Sequence, residues 1–186
     1  HVFSRTYGMY ISVTGCPDNN FRPWVKKAVT FYGESLIPNK NLRNHIGLLV
    51  RFSDKLEEQA FSSIDGYTVS GKPREFLIEI HSGLGAPETL KTLAHEMVHI
   101  KQYVNRELSD YWPKKTKRTS KVTERWKGKN YNSDKMDYYS FPWEIEAYGR
   151  EEGLYRNFMH KEKLWKIFRG ISNPKTNVLN TPIKWK

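Results

Sequence analysis

Hydrophobic positions along this chain recur at two different periods, and each change of period marks a new element. MYISVTG at 9–15 carries β-branched residues in alternation and ends at Gly15, which predicts a strand. CPDNN follows as a turn whose Asp18 or Asn20 suits a helix cap. Phe21, Trp24, Val25, Ala28, Val29, Tyr32 and Leu36 then recur at three- and four-residue spacing, the stripe of a helix that ends at Pro38 and Asn39. HIGLLVRFS at 45–53, AFSSIDGYTVSG at 60–71 and PREFLIEIHSG at 73–83 each read as strands, with turns expected at Gly66 and at the GKP of 71–73. Strands in such close succession predict a small, mostly antiparallel sheet.

From Pro87 the period changes to that of a helix, with Leu90, Leu93, Ala94, Met97, Val98 and Val104 on one apolar stripe. Residues 109–141 lose this regularity and predict loop and short strand, with a hairpin around RTSKVTERWKGKNY. A last helix begins at Pro142, suited to a first-turn position, with Glu144 and Glu146 near the positive end of its dipole, and is expected to reach Phe168. The tail at 170–186, with its Gly, Asn and Pro, predicts irregular structure. The expected fold is α+β: a small sheet packed against an N-terminal helix, the helix after Pro87 and the helix after Pro142. At 186 residues this is one domain, 1–186, with enough length for a real core.

Composition narrows the setting. No stretch approaches the roughly 20 apolar residues a bilayer crossing needs, so no membrane span is expected. The opening HVFSRTYGMY lacks a basic segment followed by an apolar run, so no secretion signal is read there. One cysteine, Cys16, excludes an intrachain disulfide and a cysteine-built zinc cluster, and points to a reducing, cytoplasmic compartment. The net charge of +11 is a field that attracts nucleic acid, anionic lipid or acidic protein.

The chemistry sits in HEMVH. His95 and His99, four apart on a helix, lie one above the other and can reach a single ion, for which zinc is the natural guest. Glu96 is turned from His95 by about 100° and can serve as general base and acid to a metal-activated water in peptide-bond hydrolysis. Random placement of six histidines and fourteen glutamates would produce these three fixed letters in roughly one such chain in 70. The apolar helical stripe supplies the required context as well as the letters. None of the other histidines, His1, His45, His81 and His160, falls in a HExxHxxGxxH extension.

HEMVHIKQY followed at a distance by PWEIEAYGRE resembles the small gluzincin-like zinc metallopeptidases, especially uncharacterised ones encoded by bacteriophages and loosely related to the SprT-like group. The similarity spans about residues 86–156. It implies a zincin-like fold, a protein or peptide substrate, and a host cytoplasm setting if the chain is phage-encoded. It also implies a third ligand on the next helix, a Glu followed three residues later by Ala, which is Glu144 with Ala147. Two residues along a helix is about 200° of rotation, so Glu144 and Glu146 cannot both face one ion unless the segment starts non-helically, and it is the resemblance that favours Glu144 over Glu146.

Tyr148 stands where the gluzincin pattern has an Asp that orients an imidazole, which leaves Glu146, Asp137 or a backbone carbonyl for that task. Tyr138, Tyr139, Tyr148, Tyr155 and His160 are the donors available to an oxyanion, though each is also a plausible packing residue. The strand EFLIEIHSG, ending at His81, is expected to form the cleft's edge, with the 109–141 insert as its other wall. That insert holds nine Lys or Arg against four Asp or Glu, interleaved with Tyr111, Trp112, Trp126 and Tyr131. Such a mixture can bind nucleic acid, although packing of the aromatics onto the body, with the lysines keeping the insert soluble, is the simpler explanation. The competing reading of the chain is a non-catalytic basic nucleic-acid-associated protein or a degenerate peptidase whose zinc is structural or lost.

Overall fold

The computed structural model describes residues 8–111, 123–132 and 135–164, and in them the periodicities become elements close to their expected limits. β1 (Tyr10–Thr14) leads to α1 (Arg22–Leu36), a single turn α2 (Lys40–Arg43), β2 (Gly47–Ser53), β3 (Ala60–Tyr67), β4 (Pro73–His81) and the long α3 (Ala86–Val104). β5 (Leu108–Tyr111), β6 (Thr123–Trp126) and β7 (Lys129–Tyr131) follow, then a 3-10 turn over Tyr138–Ser140 and α4 (Pro142–Lys161). α4 stops at Lys161, short of the expected Phe168, because the chain turns over 162–164 with Lys163 at φ 56°. Residues from 165 onward, including the tail at 170–186, lie outside the described residues, as do 112–122 and 133–134 of the insert.

The α+β architecture holds, but the main sheet is mixed rather than mostly antiparallel. Its order is β1-β2-β4-β3, with β1 and β4 parallel to β2 and only β3 antiparallel to its neighbour β4. The reason lies in which strands need two neighbours. β2 buries Leu48, Val50 and Phe52 and β4 buries Phe76, Ile78 and Ile80, whereas no residue of β3 is fully buried, so β3 tolerates an edge. β4 therefore inserts between β2 and β3, and β4 is not the cleft's edge strand: β3 is. Gly66 is not a turn either; it sits within β3 where the pairing register shifts, at a bulge.

Leu48, Val50 and Phe52 of β2 pair in register with Phe76, Ile78 and Ile80 of β4, so all six side chains point to one buried face. Val25, Ala28, Val29 and Tyr32 of α1 and Leu90, Leu93, Ala94 and Met97 of α3 close that face. The Tyr32 hydroxyl donates to the Leu90 carbonyl at 2.9 Å and ties the two helices together. α4 lies on α3 and α1, with Ala147 fully buried and the Phe158 ring 5.7 and 5.8 Å from those of Phe31 and Tyr32. α1 starts without an acidic side-chain cap: Asp18 instead accepts the Asn20 N–H at 2.8 Å and turns the chain into the helix.

β5, β6 and β7 form a separate antiparallel sheet. The expected hairpin is β6–β7, closed by Lys127 (φ 45°) and Gly128 (φ 85°), a pair of left-handed residues that matches the twist of a two-residue loop. Trp126 and Tyr131 pack against Trp143 at 6.4 and 5.6 Å between ring centroids, which fastens this sheet to the start of α4. No helix among the described residues is long and apolar enough to cross a membrane.

Candidate metal centre

α3 runs under the sheet with its apolar stripe inward, and the same helical period brings His95 and His99 together where α4 begins. The His95 Nε2 and His99 Nε2 atoms are 3.2 Å apart. Glu144, in the first turn of α4, meets both: Oε2 is 3.3 Å from His95 Nε2 and Oε1 is 3.4 Å from His99 Nε2. All three residues are buried, and together they form a group able to hold a metal ion.

Whether the group suits a metal can be tested on its hydrogen bonds. His95 Nδ1 is 2.8 Å from Glu151 Oε2, and His99 Nδ1 is 2.9 Å from Gln102 Oε1. The Gln102 amide cannot be turned round, because its Nε2 donates to the Trp143 carbonyl and to Glu146 Oε2, both at 3.0 Å. Both Nδ1 atoms therefore carry the proton, and the neutral rings point their Nε2 lone pairs at each other and at a carboxylate. Glu144 Oε2 itself has no well-aligned hydrogen-bond donor. Such a triangle of acceptors is balanced only by a cation, either protons or a metal. Ligands held about 2.0–2.1 Å from a tetrahedral ion stand about 3.3 Å from one another, which is the spacing observed.

The electrostatics agree. Burial alone would lower both imidazole pKa values, but Glu144, Glu96 and the Nδ1 partners raise them above their ordinary value. Burial pushes the Glu144 carboxyl up, and the two imidazoles and the Tyr138 hydroxyl outweigh it, bringing it to about 2.

The structure thus chooses Glu144 and turns Glu146 away. Glu146 pairs with Lys101 at 2.8 Å and Arg150 at 3.2 Å, and steadies Gln102. Neither it nor Asp137 touches an imidazole; Asp137 precedes the 3-10 turn instead. The orienting partners are Glu151 and Gln102, which the sequence reading did not single out. A helical signal for both existed: Glu151 is seven residues, two turns, beyond Glu144, and Gln102 is three beyond His99. Tyr148 packs edge-on against the His95 ring at 4.6 Å. His81 accepts the Gly83 N–H and His45 lies against the Asn41 carbonyl, so both are structural.

Glu96 is 5% exposed and its Oε2 has no hydrogen-bond partner, while Ser62 of β3 bonds the carboxylate. Burial outweighs the imidazoles and Ser62 and raises its pKa. It lines both arms of a cleft, one of about 540 Å³ on the His95 side and one of about 270 Å³ on the His99 side. Glu58, Ala60 and Tyr138 also belong to both arms. β3 and the 3-10 turn therefore face each other across the group, and the Tyr138 hydroxyl reaches Glu144. Compared with protein-family models, curated proteins and solved structures, the chain matches none.

Proposed function

We propose that the chain is a zinc-dependent metallopeptidase of the gluzincin-like kind, acting on protein or peptide substrates. The observation that carries this reading is the conjunction, in one cleft, of the His95–His99–Glu144 triangle with the unpartnered buried Oε2 of Glu96. Two imidazole nitrogens and one carboxylate favour zinc over magnesium or calcium, which prefer all-oxygen sites. Zinc held by His95 Nε2, His99 Nε2 and Glu144 would act as a Lewis acid, lowering the pKa of a water towards about 7 and polarising the scissile carbonyl.

The chain's own residues do the rest. The Glu96 carboxylate takes the proton of the attacking water and hands it to the leaving amine nitrogen as the C–N bond breaks. The burial that raises its pKa brings its proton affinity closer to neutral pH. Glu151 and Gln102 keep both Nδ1 positions protonated and so keep Nε2 free for the metal. Tyr138, whose hydroxyl reaches Glu144 and whose pKa burial and Glu144 raise, is the donor we assign to a developing oxyanion. β3, an edge strand beside Glu96, offers backbone groups to an extended peptide. A buried, free Cys16 suits a reducing compartment such as the cytoplasm.

Metal content and turnover test the reading together. The purified chain should take up one zinc, seen by anomalous scattering at the zinc edge. A chelator should stop cleavage of an unstructured peptide, and zinc should restore it. Glu96→Gln should retain the zinc and lower turnover by at least about 10³-fold, and near-normal turnover in that variant would sink the mechanism.

A further inference from the structure

The smaller arm of the cleft carries a charge opposite to that of the chain. Glu58, Glu96, Asp110, Glu124 and Glu144 line it, and no lysine or arginine does among the described residues, although the whole chain stands at +11. Asp110 and Glu124 are direct cross-strand partners on β5 and β6, an arrangement in which like charges repel and cost stability. Glu124 Oε2 is shut away from water without a hydrogen-bond partner, as is the Oε2 of the deeply buried Glu96. Tyr103, Trp143 and Phe61 supply rings along the same arm. A pocket that combines ring walls with carboxylate oxygens lacking a hydrogen-bond partner among the described residues is shaped for a long side chain with a cationic end.

We propose that this arm is a specificity pocket for a lysine or arginine side chain of the substrate, on a residue adjoining the scissile bond, an inference that rests on the peptidase reading. Its volume of about 270 Å³ admits one long side chain. The methylene stem lies along Tyr103 and Trp143, and the ammonium or guanidinium takes the carboxylates of Glu124 and Asp110, both lining the arm, as charge-assisted acceptors. The incoming cation relieves a repulsion already present in the free protein. The larger arm is also lined by acids, Glu58, Glu88, Glu96 and Glu151, but it holds no like-charged cross-strand pair, and Lys91 lies in it and answers Glu151 at 3.5 Å. Preference for a basic residue is therefore expected on the His99 side of the metal group and not on the His95 side.

The test has a binding arm and a cleavage arm, both on the whole chain. Fluorescence anisotropy of the metal-free protein should show a labelled unstructured peptide with one Arg binding at least about tenfold tighter than its norleucine counterpart, a difference of about 1.4 kcal/mol. Asp110→Asn with Glu124→Gln should reduce that ratio below about threefold. It should also leave the protein at least as heat-stable as the wild type, because a repulsion has gone. Equal binding of the two peptides, binding of neither, or a ratio untouched by the double variant would overturn the proposal. In the zinc-loaded protein, cleavage next to Arg or Lys should exceed cleavage next to norleucine by a similar factor. Metal-dependent cleavage without basic preference would overturn the pocket and leave the peptidase standing. Arg-selective binding without any cleavage would overturn the peptidase, and with it the link to a scissile bond.

Discussion

Glu151 provides the sharpest test of how the imidazole pair is held. Its Oε2 meets His95 Nδ1 at 2.8 Å, and its side chain is only 14% exposed, so Glu151→Ala removes a short, charge-assisted hydrogen bond from a sheltered place. Losing a partner of this kind weakens metal affinity by about 10- to 100-fold, or about 1.4–2.8 kcal/mol. Lys91 lies 3.5 Å from the other oxygen and already answers part of the charge, so the lower half of that range is expected. Glu151→Gln keeps an acceptor and loses the charge, and should cost about three- to tenfold. Competition with a chromophoric chelator measures both variants. Glu152→Gln serves as control: Glu152 pairs with Lys91 and Arg156 and touches neither imidazole, so zinc affinity should stay within about twofold. Because Glu151 also favours the protonated imidazole, the gap between wild type and Glu151→Ala should be widest above the imidazole pKa and shrink below it. Affinity within twofold of wild type in a folded Glu151→Ala protein would refute the orienting role.

The remaining expectations concern protons and packing. His95 and His99 are raised above their ordinary value in the metal-free protein, so apparent zinc affinity should fall on acidification from a higher pH than for free imidazoles, with protons released as zinc binds; calorimetry in buffers of different ionisation enthalpy counts them. Glu144→Gln should bring both imidazole titrations down in a metal-free NMR experiment. Its cost in metal-free stability has a defined window. The raised imidazoles contribute while protonated and lose that contribution as pH rises through their folded pKa. The depressed carboxyl contributes above about 4.5 and loses it as pH falls towards about 2. Denaturant titrations should therefore show the largest loss between about pH 4.5 and 6.5, and a loss independent of pH would contradict the ion-pair account. Ala147 is fully buried where α4 meets the core, so Ala147→Leu should cost about 1–3 kcal/mol and weaken zinc binding by displacing the Glu144 helix, read by melting temperature and chelator competition.

Some of the competing functional readings turn on the insert. Two of its aromatics, Trp126 and Tyr131, are engaged in fastening β6–β7 to Trp143, with Lys127 and Lys129 over their rings. The cation-rich stretch at 112–122, which includes Trp112, lies outside the described residues. The part of the insert on view therefore serves the cleft: it supplies Asp110, Glu124 and the wall of the smaller arm.

How much of this was legible beforehand follows from the range of the interactions involved. Period and punctuation are local, so the strand at 10–14, the helix at 22–36, the HEMVH helix and the hairpin over 123–131 were readable within a few residues. The meeting of His95 with His99 was readable too, because four residues on a helix set it. So was the opposition of Glu144 and Glu146, because a rotation of about 200° separates them on any helix. Strand order was not, since nothing in the connection from β3 to β4 says that β4 will slip between β2 and β3. The partners of the two Nδ1 atoms come from different helices, and Gln102 points usefully only because the Trp143 carbonyl and Glu146 orient its amide. The acidic arm depends on Asp110 and Glu124, fourteen residues apart in the chain and opposite one another in the sheet. Sequence determined the chemistry one helix could present; the crossing of α3 and α4, and the docking of a second sheet beside it, decided what that chemistry faces, because side chains distant along the chain meet only through packing.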